Sequence, residues 1–198
     1  MLKARFVKAA LAAALITAFL IGSSVAAAPA GQQSSGVYSF ADGSPVDGAH
    51  ATLLRNDGGI RMTLTTSGLD AGGTYTIWWV IFNNPEACTD GVHGLGLLCG
   101  AGDLGSGDVA ASVLYATGHV VGKNGKGNFG AHLSVGQMTN DVLFGPGLLD
   151  PRGAEVHLIV RGHGDPIPGL VREQISTVDG GCSINDCESQ QFAAFAGP

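Results

Sequence analysis

The chain has 198 residues, ten Lys and Arg against sixteen Asp and Glu, a formal net charge of −6, 32 Gly and four Cys. This length suits one domain, and a chain this acidic offers no basic face for nucleic acid or anionic lipid, which argues against both as partners.

Residues 1–30 have the three parts of a secretory signal: basic Lys3, Arg5 and Lys8, an apolar run from Ala9 to Ile21, and the small-residue string from Val25 to Ala30. A retained anchor is the competing reading, but the 13-residue apolar run is shorter than the roughly 18–20 residues that span a bilayer. Cleavage fits equally after Ala28 or Ala30. The leader holds three of the ten basic residues and none of the sixteen acidic ones, so seven face sixteen in the remaining 168 residues, a net charge of −9. No cysteine follows the cleavage region to accept a lipid, and the last residues, Phe192 to Pro198, form no apolar tail. The expected product is an exported, periplasmic or extracellular protein with no membrane attachment, a single domain over 31–198.

Beyond the leader the chain shows short alternating runs separated by Gly, Asn, Asp and Pro, with no long apolar segment of 3.6-residue period. This spacing predicts an all-β fold, an antiparallel β-sandwich of Greek-key or jelly-roll type. Around Asn56-Asp57-Gly58-Gly59 a turn joins Ala51–Arg55 to Ile60–Thr66, where Ile60, Met62 and Leu64 alternate with polar residues. The segment 74–82 is apolar on both faces, with Tyr75, Ile77, Trp79 and Ile81 on one and Trp78, Val80 and Phe82 on the other. It predicts a central strand covered on both sides. One Trp as a sugar-stacking platform is the sharper reading; core packing is the plainer and preferred one.

The stretch Gly100–Asp108 resembles one copy of a calcium-binding Gly/Asp repeat, but such rolls need stacked copies, so a loop beside Cys99 is expected rather than an ion held by Asp103 and Asp108. Around Asn124-Gly125 a two-residue turn pairs Val120 with Phe129, Gly118 with Ala131, Ala116 with Leu133 and Leu114 with Val135 on a core face. Tyr115, Thr117, His119, His132 and Ser134 then share the opposite face, with His119 and His132 as diagonal neighbours roughly 7–8 Å apart at the backbone. His157 is the available third histidine, but neither strand adds Cys, Asp or Glu, so no tight metal site is expected there. The Gly-rich 122–127 lacks the Gly-Lys-Ser/Thr ending of a phosphate loop and reads as the hairpin turn.

Two further strands are predicted at 154–161 and 190–196. In the first, His157, Ile159, Arg161 and His163 share one face. Arg161, His163 and Asp165 at its end are the candidate binding residues, as a carboxylate-oriented histidine or an anion-binding corner. A polar strand edge entering a Pro-fixed turn is the alternative. Of three possible cysteine pairings, local closure of Cys88 with Cys99 and of Cys182 with Cys187 is expected, because each pair brackets an irregular stretch. Their spacings do not match zinc ribbons, and no metal or cofactor is expected.

Neither a Gly-x-Ser-x-Gly elbow nor a His-Glu-x-x-His helix occurs. The segments Tyr75–Cys88, Val142–Asp150, Glu155–Gly164 and Glu173–Cys182, with their YTIWWVIFNNPEAC, HLIVRGHG and GGC motifs, resemble a family of uncharacterised exported bacterial β-sheet proteins. The resemblance implies a shared fold and a bacterial origin and carries over no catalytic residue. A fainter likeness is to secreted chordin-type and copper/zinc dismutase-type sandwiches, but the dismutase His-x-His spacing is absent. The function expected is a non-enzymatic module binding a small ligand, a polysaccharide or another envelope protein. The alternative is a metal-dependent (Cu/Zn) redox or hydrolytic enzyme using the six histidines, His50, His93, His119, His132, His157 and His163.

Overall fold

The computed structural model describes residues 31–91, 96–138 and 141–197; the expected leader and His93 lie outside them. Nine strands form one antiparallel sheet: β1 Gln32–Ser39, β2 Pro45–Asn56, β3 Gly59–Thr66, β4 Thr74–Phe82, β5 Ala111–Val120, β6 Gly127–Ser134, β7 Val142–Phe144, β8 Glu155–Gly162 and β9 Glu188–Phe195. Their spatial order is β6-β3-β2-β1-β9-β8-β4-β5-β7. The all-β antiparallel expectation is met by one sheet curled into a half-barrel, whose inner face closes on itself as the two layers of a sandwich would.

Alternation decides which side chains enter that interior. In the β2–β3 hairpin Asn56 pairs with Gly59 across Asp57-Gly58, which places Ala51, Leu53, Ile60, Met62 and Leu64 inward, each at most 1% exposed. From β4, Tyr75, Ile77, Trp79 and Ile81 join the same cluster with Val156, Leu158 and Val160 of β8. Each such side chain contributes about 1.5–3 kcal/mol by leaving water. β4 lies between β8 and β5, as its two apolar faces require. Arg55 plugs one end of the interior, donating to Gln33 Oε1 (2.7 Å) and to the carbonyls of Pro151 (3.0 Å) and Ala154 (2.8 Å). Burial lowers its pKa to about 10, partly countered by Asp150, so it stays charged at neutral pH.

The expected β5–β6 hairpin does not form. The two strands are joined through the turn around Gly125 and come close, but β6 pairs with β3 (His132 opposite Arg61) and β5 with β4 and β7. A bulge in β5 adds a second correction. Tyr115 lies opposite Trp78 but Thr117 opposite Ile77, so Ala116 is the extra residue and the alternation inverts beyond it. His119 therefore turns inward, half-buried and stacked on Phe129 with ring centroids 4.3 Å apart, and burial lowers its pKa. His132 stays exposed on the outer face. The two histidines lie on opposite faces of the sheet, and the expected proximity is overturned.

Candidate functional site

The outer face of β4 carries Thr74, Thr76, Trp78, Val80 and Phe82, and that of β8 carries Glu155, His157, Ile159 and Arg161, continued by His163. Water does not reach all of it, because a disulfide-closed segment folds over each end.

Over one end lies the segment containing the Cys88–Cys99 disulfide and the 3₁₀ turns Pro85–Ala87 and Ala101–Gly105. Glu155, fully buried, accepts the backbone N–H groups of Leu98 (2.9 Å) and Cys99 (3.1 Å) and the Nε2–H of His157 (2.8 Å). Burial alone raises its pKa, but the hydrogen bonds from His157, Leu98 and Cys99 outweigh that and hold it below the ordinary value. Asp103 does the same within the segment. Its carboxylate accepts from the N–H groups of Thr89 (2.8 Å), Gly100 (3.0 Å) and Asp90 (3.1 Å), which overcome its desolvation and keep its pKa low. Gly100–Asp108 is thus a turn braced by its own aspartate. Gly100 is required there, since a Cβ would sit 1.9 Å from the Asp90 carbonyl oxygen.

Over the other end lies the segment with the short helix α1, Val171–Gln174, and the Cys182–Cys187 disulfide. Both cysteine pairs are the local ones expected. Here the brace is amide to carbonyl. Gln174, fully buried, directs Nε2 at the carbonyls of His163 (3.1 Å) and Asp165 (2.9 Å) and at Thr74 Oγ1 (3.1 Å), while its Oε1 accepts from the Ile167 N–H (2.8 Å). Asn185 Nδ2 donates to the same carbonyls of His163 (2.9 Å) and Asp165 (2.8 Å). Beneath them His163, 0% exposed, donates Nδ1–H to the Gly180 carbonyl and accepts at Nε2 from Thr76 Oγ1–H, both at 2.8 Å. Burial lowers its pKa, so the ring is neutral.

The candidate trio therefore divides. His163 has both ring nitrogens bonded under the second cap. Asp165 is exposed and contributes its backbone carbonyl, and Arg161 leans away to stack on Trp78, 4.8 Å from the ring centroid. A carboxylate-oriented histidine does exist on this strand, but it is His157 on Glu155, two residues apart in sequence. An acidic residue on the apolar-covered face of β8 was the available signal for it.

Between the caps the outer face stays open as a cleft of about 210 Å³. Trp78, Val80 and Phe82 of β4, Val113 of β5 and His157 and Ile159 of β8 make its floor; Leu104, Phe40, Leu143 and Phe144 form its walls. His157 and Ser189 are its only polar lining residues among those described. His157 meets Phe82 edge-on with centroids 5.1 Å apart. At one edge, Trp78 Nε1–H and Arg161 Nε–H are both buried without a hydrogen-bond partner, two donors side by side that cannot satisfy one another. A larger recess of about 470 Å³ lies where β1 and β9 separate beyond Gly36, but it is a polar seam bridged by Gln33 Nε2 to the Ala196 carbonyl (2.9 Å). Polar walls already hydrogen-bonded to each other or to water give a ligand little to gain. The apolar cleft offers more, because binding there removes exposed aromatic surface from water.

Among the described residues the groups of three convergent metal-ligating side chains are His163 with Cys182 and Cys187, and Cys88 and Cys99 with Asp103; neither contains two histidines. No helix among the described residues is long and apolar enough to cross a membrane. Compared with known proteins, the chain matches no family model and no curated sequence.

Proposed function

We propose that the chain is an exported, non-enzymatic binding module that holds one small, largely apolar molecule in the cleft between its two disulfide caps. The observation that carries this reading is the lining: an apolar recess over Trp78, Val80 and Ile159, with exposed Phe40 and Leu143 on its walls, between two segments that cover the sheet on either side of it. A volume of about 210 Å³ is below the roughly 300–1,000 Å³ of sites for drug-sized ligands, so the occupant is the size of a single substituted ring. The Arg161 guanidinium already lies over the Trp78 ring, which disfavours sugar stacking there and so a polysaccharide. Two disulfides suit the oxidising compartment to which an exported protein goes.

The test is a fluorescence titration with single-ring probes, indole and p-cresol, against the wild type and Leu143→Lys. Leu143 is 45% exposed at the cleft wall, so a lysine there obstructs the cleft without disturbing the core. Saturable one-to-one binding, weakened about tenfold or more by the substitution, is expected, a loss of about 1.4 kcal/mol. Binding that Leu143→Lys leaves unchanged, or no saturable binding of either probe, would contradict the proposal.

A further inference from the structure

We propose that His163, Cys182 and Cys187 form a thiol-gated zinc site, closed while the cysteines are joined as a disulfide and opened by two-electron reduction into a Cys₂His ligand set. This inference concerns the second cap and is independent of what the cleft binds.

One imidazole nitrogen and two sulfurs converge at the second cap. His163 Nδ1 lies 3.6 Å from Cys182 Sγ and 3.6 Å from Cys187 Sγ. In a tetrahedron built with Zn–S of about 2.3 Å and Zn–N of about 2.05 Å, the S···N edge is about 3.6 Å. The histidine is already at its working distance from both sulfurs. Of the three ligand atoms, only the two sulfurs have to part, from a bond to about 3.8 Å for two zinc-bound thiolates. The cysteines' Cα atoms are 5.3 Å apart, and the four residues between them include exposed Ser183, Ile184 and Asp186, a loop able to give by that amount.

The imidazole is also prepared for the change. Its Nδ1–H now bonds the Gly180 carbonyl, but Nε2 faces Thr76 Oγ1 at 2.8 Å, and a hydroxyl accepts as readily as it donates. Moving the ring proton to Nε2 turns that bond round, Nε2–H to Oγ1, and frees the Nδ1 lone pair; the Gly180 carbonyl, 2.8 Å away and two residues from Cys182, then loses its donor and has to turn aside for an ion to sit between Nδ1 and the two sulfurs. Metal-bound histidines are normally oriented by such a bond from the other ring nitrogen. Burial already keeps His163 neutral, the form that ligates.

The chemistry balances with a dithiol as reductant. Two electrons and two protons pass from the dithiol, which becomes a disulfide, to the Cys182–Cys187 bond, giving two thiols. Zn²⁺ then displaces their two protons to solvent and binds two thiolates and Nδ1, with water in the fourth position. Cys88–Cys99 provides an internal control. Asp103 converges on that pair too, but its carboxylate is occupied by three backbone N–H groups, so reduction there assembles no comparable set.

The test is anaerobic cobalt titration of the full chain reduced with a water-soluble phosphine. One equivalent of Co²⁺ is expected, with a thiolate-to-cobalt charge-transfer band and tetrahedral d–d absorption that Zn²⁺ abolishes. Cys88→Ser/Cys99→Ser should keep both. Cys182→Ser/Cys187→Ser should lose them, and His163→Gln should weaken uptake more than tenfold. No uptake by the reduced wild type, equal uptake by the oxidised protein, or tetrahedral cobalt in Cys182→Ser/Cys187→Ser would overturn the proposal. Should His163→Gln fail to fold, ¹⁵N shifts of the His163 ring in reduced, zinc-loaded wild type decide: a displaced Nδ1 supports it and an unmoved one refutes it.

Discussion

At one end of the outer face the N–H groups of Leu98 and Cys99 meet the carboxylate of Glu155; at the other, the carbonyls of His163 and Asp165 meet the amide N–H groups of Gln174 and Asn185. Each cap has a short disulfide loop and a glycine where a Cβ would strike a carbonyl oxygen, Gly100 at 1.9 Å from Asp90 and Gly180 at 2.1 Å from Glu173. What differs is the charge of the acceptor. Backbone N–H groups of the first cap donate to the Glu155 carboxylate. Side-chain amides of the second cap donate to neutral backbone carbonyls, over a neutral histidine. Similar covering tasks have thus been solved with a charged and with an uncharged acceptor, and the two caps should respond differently to mutation and to acid.

The largest expected effect is that of Glu155→Ala. It strands two backbone N–H groups and the His157 ring beneath the first cap and should cost about 3 kcal/mol, read from the urea midpoint at constant m-value. Amide exchange of Leu98 and Cys99 should rise with it, and that around Cys182 should not. Gln174→Ala is the counterpart at the second cap and should cost about 2 kcal/mol, with the reversed exchange pattern. Equal loss of protection at both caps in either variant would mean that they form one cooperative unit.

Acid should separate them further. Glu155 and Asp103 have folded-state pKa values below their unfolded ones, so their contribution is complete above the unfolded values, about 4, and is lost as pH falls through the folded ones. His163 is also depressed, but from about 6.5. Its unfolded form takes up a proton first, so the second cap weakens as pH falls below about 6.5 towards the folded value. Native-state exchange should therefore show the second cap loosening as pH falls below about 6.5 while the first holds until about pH 4. Simultaneous loosening would contradict these assignments. The smallest effect belongs to the open middle. Arg161→Met removes the cation from the Trp78 ring and should cost about 1 kcal/mol or less while shifting tryptophan emission.

How far the sequence discloses this arrangement depends on the range of the interactions. The β2–β3 hairpin, the two-faced β4, β8, β9 and both local disulfides follow from alternation and spacing over a few residues. The β5–β6 register does not, because a one-residue bulge at Ala116 turns Thr117 and His119 to the other face, and β6 gains more by pairing along all of β3. The strand β1, with polar QQSSG at its start, carries too few apolar residues to announce itself, and β7 is three residues long. Of the site, His157, Ile159 and Arg161 on one face are legible. That His163 is buried and His157 borders the cleft depends on caps contributed by residues far along the chain. Those caps are braced by Glu155 and Gln174, buried polar side chains whose partners no local pattern specifies.

The central claim, that the caps leave one face of the molecule open for a ligand, is tested most directly through the two indole N–H resonances. Trp79 is 1% exposed in the interior, whereas Trp78 lines the cleft with its Nε1–H unpaired. In a ¹H–¹⁵N titration with p-cresol, the Trp78 indole signal should move saturably and those of Phe40, Leu143 and Phe144 backbone amides with it, while the Trp79 indole stays in place. An unmoved Trp78 resonance at saturating probe, or shifts confined to the β1–β9 seam around Ser35 and Ala194, would contradict the account.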